Sequence, residues 1–102
     1  MRLIVTDTAE IDLAEMYQYI KTDNPTAADE FIKDMTDTLF NLAQLGVTGS
    51  ARDWISDGLR AFPYRNRCFY FRIVNDAMIV VRVLDGRQDV NAQEFPFREF
   101  IQ

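Results

Sequence analysis

The chain has 102 residues, 48% of them hydrophobic and 13% aromatic, which predicts one compact domain spanning residues 1–102. Histidine is absent and Cys68 is the only cysteine, so an intrachain disulfide, a Cys/His metal cluster and a histidine-dependent triad are excluded. We therefore expect no metal ion and no cofactor. No apolar run approaches the roughly 20 residues of a membrane helix, and the N-terminal run is too short for a signal peptide. A cytoplasmic protein is expected.

The net charge of −5 argues against a protein held to nucleic acid by bulk electrostatics, and we expect no direct nucleic-acid partner. The charge is uneven: residues 1–50 carry a net charge of −6 and residues 51–102 a net charge of +1. All basic residues of the segment 58–87 are arginines, which suit bidentate contacts with carboxylates and phosphates. These arginines either serve a partner or pair with acidic helices of the same chain.

Two helices follow a short apolar, β-branched strand at residues 3–6. An apolar stripe at helical spacing predicts a helix over 8–22, with Asp7 or Thr8 as its N-cap and Asp12 among its solvent-facing residues. Asn24 and Pro25 then form an N-cap and first position of a second helix that ends at Gly46. A three-residue joint makes the pair a helical hairpin.

The remaining chain has strand character. Residues 46–58 predict a loop, with Trp54 and Ile55 anchoring it to the core. Three strands are predicted at 59–64, 67–74 and 77–84, the last two joined by a two-residue turn at Asn75-Asp76. The order β-α-α-β-β-β indicates an α+β fold, with the helical hairpin on one face of a small, mainly antiparallel sheet.

A turn of only two residues fixes which side chains share a face of the last hairpin, and it places Phe69 opposite Arg82. One face then comprises Cys68, Tyr70, Arg72, Val74, Ala77, Ile79, Val81 and Val83. We assign this almost wholly apolar face to the helices. The other face comprises Arg67, Phe69, Phe71, Ile73, Met78, Val80, Arg82 and Leu84, and combines apolar anchors with arginines as a partner-binding groove does. Alternatively, loops and the C-terminal tail cover both faces. That tail contains Phe95, Phe97, Phe100 and Ile101, and we expect it to pack over the sheet.

Several segments together resemble the ParE branch of the RelE/ParE toxin superfamily of bacterial toxin–antitoxin modules. The resemblance covers nearly the whole chain, and its motifs are Ala9-x-x-Asp12-Leu13-x-x-Met16-Tyr17-x-Tyr19-Ile20, Asn24-Pro25-x-Ala27-Ala28-x-x-Phe31, Leu42-Ala43, Gly58-Leu59-Arg60-x-Phe62-Pro63, Cys68-Phe69-Tyr70-Phe71-Arg72 and Arg82-Val83-Leu84-Asp85-Gly86-Arg87-Gln88-Asp89. One departure is Asp85, where ParE-like sequences commonly have histidine.

The resemblance implies a noncatalytic toxin that inhibits DNA gyrase and is silenced by a cognate antitoxin. RelE-like relatives instead cut messenger RNA on the ribosome, and a third alternative is an inactive homologue that only binds an antitoxin. Arg67 and Arg87 match arginine positions of the RelE-like pattern, but the C-terminal tyrosine of those nucleases has no counterpart here. We therefore favour the gyrase inhibitor.

The resemblance and the sheet pattern together yield candidate site residues. An antitoxin is expected to wrap the chain as a helix and an extended piece, landing on the helical hairpin and on Arg67, Phe69, Phe71 and Arg82. We expect the target to contact Arg60, Arg65, Arg67, Asp85, Arg87 and Asp89.

Overall fold

The structure is a computed structural model that describes residues 1–96. Strand β1 spans Arg2–Val5, helix α1 spans Asp7–Asp23, and helix α2 spans Pro25–Leu45. Strands β2 (Ser50–Ala51), β3 (Arg60–Tyr64), β4 (Arg67–Val74) and β5 (Ala77–Asp85) follow, and a short 3₁₀ helix spans Val90–Ala92. The predicted β-α-α-β-β-β order is confirmed, and β2 is an additional short strand inside the predicted 46–58 loop. Neither helix in this part of the chain is long and apolar enough to cross a bilayer.

Capping side chains set the helix ends. The N-cap of α1 is Thr6, whose hydroxyl accepts a hydrogen bond from the Ala9 N–H, so the predicted caps at Asp7 and Thr8 are wrong by one or two positions. The same hydroxyl donates to the Val80 carbonyl at 2.9 Å and fixes the helix to the sheet. Asn24 caps α2 as predicted, and Gly46 ends it with a left-handed φ of 68°.

The sheet has the strand order β1-β5-β4-β3-β2. Strand β1 pairs with β5 in parallel, and the other neighbours pair antiparallel. The predicted turn at Asn75-Asp76 is confirmed, since both residues have positive φ. The connection between β3 and β4 repeats this geometry at Arg65 and Asn66.

The predicted β4–β5 register is confirmed next to the turn, where Val74 pairs with Ala77 and Arg72 with Ile79, and an irregularity beyond Phe71 makes it wrong for the rest of the hairpin. Tyr70 pairs with Arg82 whereas Phe71 pairs with Val80, which leaves Val81 as an extra residue on β5. Such a β-bulge exchanges the faces of the residues that follow it. As a result Phe69 lies opposite Val83 rather than opposite Arg82.

The predicted assignment of the sheet faces is also wrong. The face against the helices contains Phe69, Phe71, Met78, Val80 and Val83, which form one core with α1 and α2. Phe69 and Phe71 are completely buried there. The larger apolar surface of Phe69 and Phe71 explains why this face packs against the helices, because burying aromatic rings contributes more to stability than burying smaller side chains.

The other sheet face forms a second apolar cluster of Leu59, Ala61, Tyr70, Ala77, Ile79, Val81 and Leu84. The loop before β3 covers it through Ile55, and the C-terminal segment covers it through Val90 and Phe95. The Phe95 ring meets Tyr70 edge-on at 5.1 Å, which confirms that this part of the tail packs over the sheet. Trp54 is 68% exposed, so its predicted role as an anchor is wrong. Phe97, Phe100 and Ile101 lie outside the described residues.

Candidate functional site

A buried ion pair joins α1 to β5 where β5 extends beyond the end of β1. Asp12 accepts hydrogen bonds from Arg82 Nε at 2.7 Å, from Arg82 Nη2 at 2.8 Å and from the Val83 N–H at 2.9 Å. Its carboxylate therefore satisfies a strand edge that has no neighbouring strand there. The expectation that Asp12 faces solvent is wrong, and helical periodicity could not reveal this partner on a distant strand.

Arg82 also holds the C-terminal segment. Its Nη1 donates to the Glu94 carbonyl at 2.8 Å, and its Nη2 donates to Gln93 Oε1 at 3.2 Å. The hydrogen bonds that Arg82 donates to Asp12 raise the pKa of the Arg82 guanidinium above its ordinary value. Every one of these partners belongs to the same chain. Of the two roles proposed for the arginines, pairing with an acidic helix of the same chain is therefore confirmed for Arg82.

Burial changes the predicted antitoxin surface. Phe69 and Phe71 are covered by the helices, and Arg82 is only 9% exposed. An incoming chain cannot reach the two phenylalanines without displacing the core, and it cannot reach Arg82 without displacing Asp12 or the segment at Gln93 and Glu94. Arg67 is the one predicted antitoxin contact that borders an open surface.

A concave site lies at the end of the sheet where the β3–β4 turn meets the turn after β5. We call it the strand-end site; its volume is about 730 Å³, and it is lined by Pro63, Tyr64, Arg65, Asn66, Arg67, Cys68, Asp85, Gly86 and Arg87. The Gly86 N–H donates to the Asn66 carbonyl at 2.8 Å and joins the two turns. An added Cβ at Gly86 would lie 3.0 Å from that carbonyl oxygen, so this close approach favours glycine.

Backbone pairing brings the charged side chains of this site together. Arg67 pairs with Tyr64 on one side and with Asp85 on the other. Asp85 accepts from the Arg87 N–H at 2.9 Å and lies 3.4 Å from Arg87 Nε. The hydrogen bond from the Arg87 backbone holds the pKa of the Asp85 carboxyl below its ordinary value. Asp85 is therefore an anion at neutral pH that organises the turn.

Arg65 and Arg67 are held in different ways. Arg65 lies over the Tyr64 ring at 5.3 Å and 3.7 Å from an Asp34 oxygen, and it is exposed. The Arg67 guanidinium lies over the Phe31 ring at 4.5 Å. No carboxylate of residues 1–96 lies within ion-pair distance of Arg67, and its buried Nε has no hydrogen-bond acceptor among them. Packing thus positions Arg67 without a direct ion pair, although its charge also helps to lower the pKa of the Asp85 carboxyl.

The two other predicted target contacts lie apart from this group. Arg60 donates to the carbonyls of Thr48 and Gly49, and so holds the loop after α2. Asp89 caps the 3₁₀ helix by accepting from the Asn91 N–H at 3.0 Å. Neither residue lines the strand-end site, so the predicted set of target contacts is larger than the group of residues that this site brings together.

A second concave site borders the strand-end site on the α1 side. It is lined by Glu15, Met16, Tyr19, Ile20, Arg67, Asp85, Arg87 and Gln88. Arg67, Asp85 and Arg87 therefore line both concavities. Tyr19 is 70% exposed beside them. The predicted site did not include Tyr19, although this residue belongs to the first-helix motif that carries the family resemblance.

An apolar groove lies between the two helices and β1. We call it the helix groove; its volume is about 550 Å³, and it is lined by Leu3, Val5, Glu10, Leu13, Ala14, Tyr17, Gln18, Asp29, Ile32, Thr36 and Leu39. Strand β1 is at the edge of the sheet and pairs only with β5. The groove therefore combines apolar side chains with an unpaired strand edge, which is an arrangement that binds extended or helical peptides.

Metal-binding residues are not clustered in residues 1–96, where no group of three or more His, Cys, Asp or Glu side chains could hold an ion. The polar groups of the strand-end site are arginines, an amide, a tyrosine hydroxyl and the Asp85 carboxylate. The Tyr64 hydroxyl donates to Asp34 at 2.8 Å. This set is suited to binding an anionic partner.

The fold is that of a small α+β protein in which a helical hairpin packs on one face of a five-stranded sheet. A solved structure described as the chromosomal ParDE TA system from P. aeruginosa is similar, with a TM-score of 0.69 over 83% of this chain and 95% of that chain at 22% sequence identity. At this identity the likeness concerns the fold. No curated protein matches the chain.

The family is given by the sequence itself. A family model described as the ParE toxin of the type II toxin–antitoxin system parDE matches residues 3–90. This range contains both helices, the strand-end site and the helix groove. The chain belongs to the ParE toxin family of type II toxin–antitoxin systems, and the expected resemblance is confirmed.

Proposed function

We propose that this ParE toxin inhibits DNA gyrase by binding it, without chemistry of its own, and that a cognate antitoxin neutralises it. The match to the ParE family over residues 3–90 carries this proposal. The strand-end site supports it because three arginines surround an open concavity, an arrangement that favours contact with an acidic macromolecular surface. Arg65, Arg67 and Arg87 are the proposed target contacts, with Asp85 fixing the position of Arg87.

A ribosome-dependent ribonuclease of RelE type is the second candidate function. Its favouring observation is that Arg67 and Arg87, which match arginines of the RelE-like pattern, line the same concavity. Cleavage of RNA also needs a base for the 2′-hydroxyl and an acid for the leaving oxygen. The Tyr64 hydroxyl is already bonded to Asp34, which makes it a poor candidate for either role. An inactive homologue that only binds an antitoxin is the third candidate.

We assign the antitoxin to the helix groove rather than to the sheet face. The proposed occupant is an antitoxin segment with apolar residues at helical spacing that continues as a strand along β1. The free edge of β1 supplies backbone groups for such a strand, and Leu3, Val5 and Ile32 supply apolar contacts. Glu10 and Asp29 at the rim favour basic residues on the partner. This location keeps the hairpin contact of the original prediction and replaces Phe69, Phe71 and Arg82.

Purified gyrase tests the target directly. The toxin is incubated with gyrase, relaxed plasmid and ATP, and supercoiled and cleaved plasmid are separated on a gel. We expect loss of supercoiling together with accumulation of cleaved DNA, and we expect Arg87→Gln to weaken both effects. Lys33→Gln is the matched control because Lys33 is an exposed cation on α2 that does not line the strand-end site. Full supercoiling at toxin concentrations above that of gyrase would refute the proposal.

The antitoxin assignment is tested by filling the groove without altering the core. Ala14 is exposed and lines the helix groove, so Ala14→Arg obstructs it while leaving the apolar core intact. We expect calorimetry with the antitoxin to show at least a tenfold weaker Kd, or about 1.4 kcal/mol. Asn41→Arg on an exposed position of α2 outside the groove is the control. Equal affinities of the two variants would place the antitoxin elsewhere.

A further inference from the structure

The strand-end site contains an arginine that packing has positioned and that makes no direct ion pair among residues 1–96. The Phe31 ring supports one side of the Arg67 guanidinium, and Arg67 Nε is buried without an acceptor among residues 1–96. Because that Nε has almost no accessible surface, a ligand in the concavity meets the rest of the Arg67 guanidinium rather than this atom. Arg87 borders the same concavity with a side chain that is 81% exposed. The geometry therefore suits an anion with several acceptor oxygens.

We propose that the strand-end site binds a backbone phosphate of the DNA held by gyrase, so that the toxin contacts DNA as well as protein. This inference rests on the proposed function, because gyrase brings the DNA to the site. A phosphodiester has two free oxygens and can accept from Arg67 and Arg87 together. Arg65 adds a third positive charge to the lining, against the single carboxylate of Asp85.

The neighbouring concavity distinguishes DNA from an acidic peptide. It shares Arg67 and Arg87 with the strand-end site and adds the exposed ring of Tyr19. Aromatic rings beside arginines bind single-stranded nucleic acid, since a base stacks on the ring while its phosphate meets the cation. Tyr19 and Arg87 line the same concavity, so a strand whose bases are unpaired could place its phosphate against Arg87 and a base against the Tyr19 ring. An acidic peptide has no group that requires this ring.

The net charge of −5 limits this contact to a weak one for the isolated protein. The acidic side chains of the helices repel a free polyanion, so the expectation of no bulk nucleic-acid binding is compatible with a local phosphate site. Gyrase supplies the high local concentration of DNA that such a site needs. The free protein must therefore be tested at low salt.

Fluorescence anisotropy with a labelled single-stranded DNA of about 12 nucleotides tests the site without gyrase. The dependence of the association constant on salt is measured for the wild type, Arg67→Gln and Arg87→Gln. We expect each variant to reduce the slope of log K against log salt by about 0.7, the contribution of one phosphate contact on a single strand. Arg87 is exposed, so this variant reports on the site even where Arg67→Gln impairs folding. Tyr19→Ala is expected to weaken binding without changing the slope.

Arg2→Gln is the matched control, since it removes the same charge from an exposed position at the other end of the sheet. Arg2 pairs with Ala77 at the start of β5, which is roughly 26 Å from Asp85 at about 3.3 Å per residue. Unchanged slope and affinity in this control are expected. Equal losses in Arg2→Gln and Arg87→Gln would overturn the inference, and so would wild-type protein that does not bind the oligonucleotide.

A test with an acidic peptide distinguishes binding of phosphate from binding of carboxylate groups. A glutamate-rich peptide of equal charge that binds as tightly, with the same dependence on Arg67 and Arg87, would overturn the assignment to phosphate. The result of the oligonucleotide test does not depend on whether gyrase is the target, because gyrase inhibition is measured in a separate assay. A toxin that inhibits gyrase but fails the oligonucleotide test loses this inference and keeps its proposed function. A toxin that binds the oligonucleotide but leaves gyrase active loses the proposed function.

Discussion

Removing the Asp12 carboxylate is expected to destabilise the fold more than any exposed charge substitution. In Asp12→Ala, the Arg82 guanidinium loses two hydrogen bonds of 2.7 and 2.8 Å, and the Val83 N–H loses one of 2.9 Å. The side chains of Arg82 and Asp12 are only 11% and 9% exposed, so water does not replace the lost acceptor. Breaking a buried pair from one side costs about 3–5 kcal/mol.

The remaining contacts of Arg82 place the effect at the lower end of this range. Its guanidinium keeps the Glu94 carbonyl at 2.8 Å and Gln93 Oε1 at 3.2 Å. We therefore expect a loss of about 3 kcal/mol, which is large against the roughly 5–15 kcal/mol of a domain of this kind. For a chain of about 100 residues this loss lowers Tm by roughly 12 °C or more.

Urea unfolding followed by far-UV circular dichroism measures this free energy, because the helices dominate the signal while Trp54 is too exposed to report on the core. The control is Asp37→Ala, which removes an ion pair of 2.6 Å whose side chains are 77% and 58% exposed. We expect no measurable change in the control, since exposed pairs contribute little. A loss below about 1 kcal/mol in Asp12→Ala would refute the argument that burial, rather than distance, gives the pair its value.

Further predictions concern backbone strain, a carboxylate and the thiol. Gly46→Ala meets only the cost of a left-handed φ, about 1–2 kcal/mol, whereas Gly49→Ala also drives its Cβ into the Ala61 carbonyl oxygen. Urea unfolding should therefore show a larger loss of unfolding free energy for Gly49→Ala than for Gly46→Ala. Equal losses in the two variants would contradict this explanation. The lowered pKa of the Asp85 carboxyl contributes stability above its ordinary value of 3.8, and that contribution disappears as the pH falls through the folded-state value. Asp85→Asn should therefore be less stable than wild type at neutral pH and should converge with it in acid, and a gap that widens in acid would refute this. Burial raises the pKa of the half-buried Cys68 thiol, so iodoacetamide should alkylate the native protein more slowly at pH 8 than the urea-unfolded protein, and equal rates would contradict it.

Local signals in the sequence predicted most of the fold. Asn24-Pro25 and Gly46 fixed the ends of α2, and Asn75-Asp76 fixed the last hairpin, because each acts through its immediate neighbours. The bulge at Val81 could not be predicted in this way. It lies between two non-local contacts of β5, the pairing with β1 up to Val80 and the hydrogen bond to Asp12 at Val83. The extra residue changed only the pairing beyond it, and it placed Phe69 opposite Val83 rather than opposite Arg82. The two faces were assigned wrongly for another reason, the burial of Phe69 and Phe71 against the helices.

The candidate site was predicted only in part for the same reason. The predicted hairpin brings Arg65, Arg67, Asp85 and Arg87 to the same end of the sheet, where they line one site. The direct pairing of Arg67 with Asp85 depends on the bulge and was not predicted. Arg82 had the same residue type and a similar position in the sequence, but its partner lies on α1, 70 residues away. Charge patterning therefore identified the arginines, and only the structure separated those that hold the fold from those that face an open surface.

Expression under tight control in a bacterium with a DNA-damage reporter tests the central claim of a gyrase-directed toxin most directly. Growth and reporter signal are followed together, with and without the cognate antitoxin. A toxin that acts on gyrase is expected to cause growth arrest with a strong reporter response, both suppressed by the antitoxin. Growth arrest with a silent reporter and cleaved messenger RNA would contradict it and would support the ribonuclease.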